Sequence, residues 1–175
     1  MNSDKELRAW CESGEYERAF EDIVHQYSQR LYWHIRKMVL VHDDADDILQ
    51  NTLLKAWTGL PSFRWESRLF TWLYRIATNE VLTFLNKNKS LNEAPLEDRV
   101  DADPHLFSGD SLQKALQLAI LKLPAKQRLV FNMRYFDEIR YEDMSRILGT
   151  SVGALKASYH HATAKVQETL KELLL

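Results

Sequence analysis

The longest stretch without glycine or proline, residues 15–58, constrains the fold of this chain most strongly. Its apolar residues recur mostly every three or four positions, as they do in an amphipathic helix. They are Phe20, Ile23, Val24, Tyr27, Leu31, Ile35, Met38 and Val39. The spacing predicts a long helix, and no segment alternates convincingly in the way that predicts a strand. The predicted fold class is therefore all-α.

A run of aspartates marks the start of a second predicted helix. Four of them, between residues 43 and 47, precede a new apolar series. Carboxylates near a helix N-terminus are stabilised by the partial positive charge of that terminus. Gly59 and Pro61 end this helix, and a third helical pattern begins at about Arg68. Residues 15–88 are thus predicted to form a three-helix unit.

The stretch 91–110 differs in composition from the chain on either side. It contains two prolines and one glycine, shows no apolar period, and carries six acidic residues against one arginine. We interpret it as an acidic linker. Helical periodicity resumes at Leu112, is interrupted at Pro124, and predicts four short helices. The expected architecture is two small helical domains joined by the acidic linker.

Charge is segregated along the chain, although the formal net charge is only −2. Residues 60–90 carry an excess of three positive charges and residues 122–171 an excess of four, whereas the linker is strongly negative. Basic segments of this kind suit nucleic acid, but ordinary solvated helix faces also show them. The charge pattern leaves both interpretations open.

The sequence shows no sign of export or of a membrane anchor. A single cysteine, Cys11, cannot form an internal disulfide, and no cysteine and histidine spacing resembles a zinc site. The N-terminus lacks the apolar segment of a signal peptide, and the apolar runs are far too short to span a bilayer. We expect a cytoplasmic protein with no membrane insertion, no metal and no cofactor.

Two helical patterns joined by a tight turn lie between residues 141 and 163. Gly149 can end the first helix, and Thr150 or Ser151 can cap the second. This is the pattern of a helix-turn-helix motif, whose second helix enters the major groove of DNA. A plain helical hairpin is the alternative. The residues predicted to face DNA are Ser151, Gly153, Ala154, Lys156, Ala157 and His160.

Aromatic and arginine side chains alternate between residues 63 and 75. Rings can stack on unpaired bases while guanidinium groups hold the backbone, so this segment is a candidate nucleic-acid contact. Phe70 and Trp72 fall near the apolar stripe of the third helix and are expected to be core residues. The better contact candidates lie in the preceding loop: Phe63, Arg64, Trp65, Glu66 and Ser67.

The four aspartates Asp43, Asp44, Asp46 and Asp47 allow two chemical interpretations. Carboxylates can hold Mg²⁺ for a diphosphate substrate, but such sites need a second acidic motif and a larger helical cavity. A helix-capping cluster, or an acidic docking face for a basic partner, is the favoured interpretation. The sequence contains no nucleophile triad, phosphate-binding glycine loop or CxxC motif, so no active site is predicted.

Taken together and in this order, these segments resemble the extracytoplasmic-function (ECF) sigma factors, the minimal two-domain sigma factors of bacteria. The resemblance covers roughly residues 18–170. Its most similar segments are DDADDILQNTLLKAW at 43–57, FRWESRLFTWLYRIATNEVLTFL at 63–85 and LPAKQRLVFNMRYFDEIRYEDMSRILGTSVGALKASYHHA at 123–162. The resemblance implies a sigma-2 domain over 1–90, which would be a bundle of three to four helices, a linker over 91–110 and a sigma-4 helix-turn-helix domain over 111–175.

The resemblance also implies what the sigma-2 domain does. It would dock on the β′ clamp helices of bacterial core RNA polymerase, and it would recognise and melt the minus-ten promoter element. The residues that match the docking motif are Asp43, Asp46, Asp47, Ile48, Gln50, Asn51 and Trp57. Those that match the minus-ten face are Phe63, Arg64, Trp65, Glu66, Ser67, Arg75, Asn79, Leu82 and Lys87.

By the same resemblance, the sigma-4 domain would bind the β flap and read the minus-thirty-five element of promoter DNA. The matching residues are Arg134, Tyr141, Glu142, Ser151, Val152, Gly153, Ala154, Lys156, Ala157, His160 and His161. The chain would be a promoter-specificity subunit that is not itself an enzyme. An anti-sigma factor that sequesters it is a further expectation from the family.

The chain departs from the family pattern at several positions. Ser158, His161 and Thr163 stand where many relatives carry arginine, as does Thr78, and Asn51 replaces a frequent glutamate. The second helix of the helix-turn-helix motif is therefore less basic, so its phosphate contacts are expected to be weaker than in those relatives. The alternative function is a polymerase-independent helix-turn-helix regulator, with the N-terminal helices as a sensor or dimerisation domain.

Overall fold

The computed structural model describes residues 3–39, 41–88 and 111–174. Over these residues the chain forms α-helices and one short 3-10 turn, Leu60–Ser62, with no strand, which confirms the all-α prediction. The helices are α1 Asp4–Glu12, α2 Tyr16–Arg36, α3 His42–Gly59, α4 Leu69–Lys87, α5 Ser111–Leu121, α6 Ala125–Tyr135, α7 Tyr141–Leu148 and α8 Val152–Leu174. The predicted linker lies outside the described residues and stays a prediction.

Helices α2, α3 and α4 are the three predicted from the apolar period, and α1 adds a fourth that this period did not predict. The beginning of α1 is a capping box: the Ser3 side chain accepts from the Glu6 backbone N–H, and the Ser3 N–H donates to the Glu6 carboxylate at 2.7 Å. Leu7 is fully buried and Cys11 nearly so. Helix α1 is therefore packed into the N-terminal group of helices.

Helices α3 and α4 begin and end close to the predicted positions. Asp43 and Asp44 lie in the first turn of α3, and α4 begins one residue after Arg68. A Cβ atom on Gly59 would lie 3.1 Å from Cζ2 of Trp72 on α4. Glycine at the end of α3 therefore allows the indole ring to approach the backbone closely.

Helices α5 to α8 form the C-terminal group and correspond to the four helices predicted there. The prediction that all four are short is wrong for α8, which has 23 residues. Its apolar period simply continues, since Leu155, Ala162 and Val166 are all buried. Ala162 and Val166 share a core with Phe131 of α6. No helix in the described ranges combines the length and the apolar character that a membrane span requires.

The two groups of helices pack against each other. The prediction of two domains joined by a linker did not include such a contact. Helix α7 lies on α4, and Met144 and Ile147 of α7 belong to the same core as Leu73 and Ala77 of α4. Apolar burial of this kind is the main favourable term in packing helices. The described chain is thus held together across the segment that separates the two predicted domains.

A buried polar group, which we call the His34 cluster, crosses this contact. His34 of α2 is fully buried. Its Nδ1 lies 2.9 Å from Oδ2 of Asp137, and its Nε2 lies 3.0 Å from Oγ1 of Thr78 on α4. Lys37 contacts the same Asp137 carboxylate, and Asn132 of α6 donates from Nδ2 to the Lys37 carbonyl at 3.2 Å. These contacts attach the loop after α6 to the end of α2.

Candidate nucleic-acid and partner interfaces

The exposed side of α3 carries most of the predicted docking residues. Asp43, Asp47, Gln50 and Leu54 follow one another at spacings of four, three and four, and all four are exposed. Residues at this spacing share one helix face. The structure brings them together as a ridge, with Asn51 exposed beside it and Asp46 half-buried.

Ile48 is different from the other predicted docking residues. Its side chain is only 4% exposed and belongs to the core between the N-terminal helices. It therefore offers almost no surface to a partner. Its contribution is to hold the exposed ridge of α3 in place from beneath.

The carboxylates of α3 are close enough to influence one another. Burial, followed by the charges of Asp47 and Asp43, raises the pKa of the Asp44 carboxyl. Asp46 approaches His42, whose Nε2 is 3.3 Å from the Asp46 Oδ2 atom. Among the described residues, no three His, Cys, Asp or Glu side chains converge as metal ligands would. A concentrated negative field of this kind attracts and orients a basic partner.

An apolar groove lies beside the acidic ridge. The rings of Phe20 on α2 and Trp57 on α3 are 5.1 Å apart and tilted by 59°. With Leu53 and Leu54 they line a groove of about 510 Å³, and Glu17 lies at its rim. Leu54 is 61% exposed. An exposed apolar surface beside charged residues is typical of a protein interaction site.

The aromatic loop between the 3-10 turn and α4 is internally packed. The Phe63 ring stacks on Trp72 with centroids 4.6 Å apart, and it contacts Trp65 at 4.8 Å. Trp65 has a φ of +57°, a conformation that non-glycine residues rarely adopt and that clusters at functional sites. Arg64 and Glu66 project into solvent, where they are 82% and 77% exposed. Ser67 is half-buried.

One face of α4 continues from this loop. Arg75 and Asn79 are exposed, Leu82 is half-buried, and Lys87 is exposed at the last turn. The first three are spaced by four and three, so they share a face, whereas Tyr74, Ala77, Thr78 and Val81 on the other side are buried. Arg75, Asn79 and Leu82 therefore form an exposed strip along α4, and Lys87 lies beyond it at the last turn.

Sequence reasoning missed a group of residues around the aromatic loop. A cavity of about 520 Å³ is lined by Trp65 and its neighbours together with Asp4, Lys5 and Arg8 of α1 and Arg146 of α7. Asp4 Oδ2 also accepts a hydrogen bond from the Leu69 backbone N–H at 3.0 Å. The SDKE capping-box pattern at the N-terminus could have revealed α1, but no local pattern reveals its contact with α4.

The end signals predicted for the two helices of the helix-turn-helix motif are confirmed by the geometry of the turn between α7 and α8. Gly149 ends α7 with a φ of +64°, the left-handed conformation that glycine adopts freely. Ser151 Oγ accepts from the Ala154 backbone N–H at 3.3 Å and so caps the beginning of α8. The turn thus has the end signals that its sequence predicts.

Three predicted minus-thirty-five residues from different elements meet at Tyr141. The guanidinium carbon of Arg134 on α6 lies 5.1 Å from the Tyr141 ring centroid, and Nζ of Lys156 on α8 lies 5.8 Å from it. Both distances fit cation–π contacts. Arg134 also donates to the Ile139 carbonyl at 3.2 Å. Two cations are thereby held over one ring beside the N-terminus of α8.

The remaining residues predicted to face DNA occupy the outer side of the α8 N-terminus. Ser151, Gly153, Ala154, Lys156, Ala157, His160 and His161 are exposed, Val152 is half-buried, and Glu142 is exposed on α7. Leu155 is buried beneath them. An added Cβ on Gly153 would meet no atom within 4 Å. This exposed surface bears small residues, so the backbone of α8 can approach a groove closely.

Models of two protein families match the two halves of the chain. The model of "Sigma-70 region 2" matches residues 23–91, and that of "Sigma-70, region 4" matches residues 113–166. The first match includes α3, the aromatic loop and α4, and the second includes the helix-turn-helix motif. Helix α1 lies outside both matches.

Curated proteins and solved structures show the same likeness along nearly the whole chain. The chain is 30% identical to the ECF RNA polymerase sigma factor SigM of Mycobacterium tuberculosis, covering 96% of this chain and 85% of that protein. It is 29% identical to the ECF RNA polymerase sigma factor SigW of Bacillus subtilis, over 89% and 90%. The sigma factor RpoE of Bartonella quintana, solved with the anti-sigma factor NepR, superposes with a TM-score of 0.70 at 27% identity, over 87% and 96%.

Proposed function

Since this chain belongs to the ECF group of the sigma-70 family and is an RNA polymerase sigma factor, we propose that three of its surfaces divide the work of promoter recognition. Residues 1–90 form the sigma-2 domain and residues 111–175 the sigma-4 domain, joined by the linker 91–110. The observation that carries this proposal is the order of the two matched regions, each with most of its motif residues exposed. A polymerase-independent regulator would leave the first match unexplained.

We assign docking on the β′ clamp helices of core polymerase to the ridge and groove of α3. The exposed carboxylates Asp43 and Asp47 supply long-range attraction to a basic partner. The groove beside Phe20 and Trp57 supplies apolar area, and large aromatic residues dominate the energy of most interfaces. The acidic charge thus governs encounter and register, and the groove governs how long the complex lasts.

We assign recognition and melting of the minus-ten element to the aromatic loop and the exposed strip of α4. Arg75 and Lys87 can contact phosphates, whereas the loop provides rings and an exposed arginine, Arg64, for unpaired bases. Extruding a base from a duplex costs a few kcal/mol, and stacking returns about 1–3 kcal/mol per base. Capture of bases by the loop therefore drives melting without nucleotide hydrolysis.

We assign the minus-thirty-five element to the N-terminal turns of α8. Lys156 and Arg134, held over Tyr141, lie where phosphates or base edges would be contacted. The β flap of polymerase holds this domain in place in the complex. Joining two modest DNA-binding modules through a linker raises their effective concentration on the promoter, so neither has to bind tightly by itself. Catalysis belongs to the polymerase.

The complex of Bartonella quintana RpoE with NepR supports one further partner. We propose that this chain, too, is sequestered by an anti-sigma factor that competes with core polymerase for α3. The exposed Leu54 and the neighbouring groove provide the apolar surface that such a partner would cover.

In-vitro transcription tests the proposal directly. Core polymerase, with and without this protein, transcribes a fragment library, and start sites are sequenced. We expect new start sites that share two spaced upstream motifs. The double charge reversal Asp43→Lys with Asp47→Lys should abolish them and prevent retention of core polymerase in a pull-down. Glu168→Lys, an exposed reversal on α8, is the matched control. Retention of polymerase by the double variant would disprove the docking assignment.

A further inference from the structure

Helix α1 lies outside the matched sigma regions but contacts the beginning of α4. Its Leu7 is fully buried in the core and α1 packs on α2, so α1 is also anchored away from α4. Asp4, in the first turn of α1, extends its carboxylate to the Leu69 backbone N–H at 3.0 Å. Leu69 is the first residue of α4. A side chain 65 residues away in the sequence thus reaches the helix that carries the minus-ten strip.

This contact supplies what the local sequence of α4 lacks. The first four N–H groups of a helix have no partner within it and are usually satisfied by a capping side chain. The residue at the N-cap position of α4 is Arg68, and it makes no side-chain capping bond. Asp4 accepts from the first of these N–H groups, and its negative charge is also stabilised by the helix dipole.

The position of this cap matters because α4 begins where the aromatic loop ends. The loop residues Trp65, Glu66 and Ser67 line one cavity together with Asp4. Trp65 has its φ at +57°, and such a conformation persists only when the surroundings determine it. Fixing the first N–H of α4 fixes the end of the loop, which limits the conformations that Trp65 can adopt.

We propose that Asp4 is a positioning residue for promoter melting: by capping α4 from helix α1, it holds the aromatic loop in its base-capturing conformation. This inference rests on the proposed minus-ten role of the loop. It also gives α1 a function in DNA melting without any contact between α1 and DNA. Removing the cap would allow the end of the loop to adopt other conformations. Part of the binding free energy of a captured base would then be needed to order the loop, so the base would bind more weakly.

The test measures binding of single-stranded DNA by the holoenzyme. The probe is a fluorescently labelled oligonucleotide that carries the non-template minus-ten sequence selected in the transcription library. We expect Asp4→Ala to weaken its binding about fivefold, the usual size of a lost helix cap. Asp4→Asn should restore most of the affinity because its amide oxygen can still accept from Leu69. Binding of core polymerase and of a duplex minus-thirty-five fragment should not change.

Glu6→Ala is the matched control, since it breaks the capping box of α1 without touching α4. If Glu6→Ala weakens binding of the probe as much as Asp4→Ala does, the effect comes from loss of α1 as a whole. The proposal is then overturned. The proposal is also overturned if the Asp4→Ala holoenzyme binds the probe normally while the Trp65→Ala holoenzyme does not. In that case the assignment of the loop to base capture would still stand. Normal binding by Trp65→Ala as well would overturn the loop assignment itself.

Discussion

Replacing Asp137 with alanine should loosen the contact between the two groups of helices. The Asp137 carboxylate accepts from fully buried His34 and contacts Lys37, whose side chain is 22% exposed. Its loss leaves a buried imidazole nitrogen without a partner, whereas Lys37 can turn towards water. A hydrogen bond to a charged group contributes about 1.5–3 kcal/mol, and a buried polar atom left without a partner costs about 1–3 kcal/mol. We therefore expect the free energy of unfolding to fall by about 2–3 kcal/mol.

Two measurements check this value. Thermal unfolding should show a Tm lower by about 5–10 °C, since a domain of this size shifts about 2–4 °C per kcal/mol. Fluorescence energy transfer between labels at Thr83→Cys on α4 and Glu168→Cys on α8 should report a larger mean distance in Asp137→Ala. Cys11 is buried, which keeps it from competing for the label.

The control is Lys55→Met, which breaks an ion pair with Glu80 inside the N-terminal group. Lys55 is 59% exposed, so this pair should contribute less than about 1 kcal/mol and should not alter the distance between α4 and α8. If Asp137→Ala behaves like Lys55→Met in both assays, the His34 cluster does not hold the helices together and the reasoning is refuted.

The same contact has a pH dependence with a defined sign. Burial alone would raise the pKa of Asp137, but the hydrogen bond from His34 and the charge of Lys37 outweigh it and hold that pKa below the ordinary value. A carboxyl whose pKa is lowered on folding stabilises the protein above its unfolded pKa, near 4, and loses that effect as the pH falls through the folded value. The difference between wild type and Asp137→Ala should therefore shrink below about pH 4. A constant difference down to pH 2 would contradict this.

Three further substitutions test the proposed surfaces. Trp65→Ala should slow open-complex formation at least fivefold while closed-complex binding stays within twofold, because the loop acts on unpaired bases. Potassium permanganate footprints measure the first and gel shifts the second, and equal losses in both would indicate a structural role for Trp65. Lys156→Ala should weaken promoter binding and reduce the slope of log affinity against log salt by about one, and an unchanged slope would remove Lys156 from the phosphate contacts. Trp57→Ala should weaken core-polymerase binding by about tenfold or more through the apolar groove, and normal affinity by calorimetry would exclude the groove from docking.

Periodicity and end signals predicted most of the helices because these features act within a few residues. The spacing of apolar residues in α2 and the glycine at 149 are local, and local preferences decide where a helix begins and ends. Helix α1 escaped because its nine residues offer only one turn of the apolar period, with Leu7 and Cys11 as its buried residues. Its capping box was the signal that the apolar pattern lacked.

Contacts between distant elements were beyond the reach of the sequence. Ile48 fits an exposed motif by its position in the sequence, yet tertiary packing buries it. Asp4 and Leu69 are far apart in the chain, as are His34 and Asp137, and nothing in the local pattern pairs them. Thr78 shows the difference well: the sequence marks it as a departure from the family, whereas the structure gives its hydroxyl a buried partner in His34.

If the two groups of helices bind the promoter elements as proposed, the contact between them has to be given up when both elements are bound. Elements centred at minus ten and minus thirty-five lie about 25 base pairs apart, roughly 85 Å at about 3.4 Å per pair. A compact chain of this length has a radius of gyration of about 16 Å and so a diameter of roughly 40 Å. By length alone, the 22 residues 89–110 span at most roughly 70 Å at about 3.3 Å per residue, which is enough to close the gap. The labels on α4 and α8 should therefore separate in the promoter complex with polymerase, and Asp137→Ala should reach that state with less polymerase than wild type. An unchanged distance in the complex would mean that the two elements are not read simultaneously by these two faces.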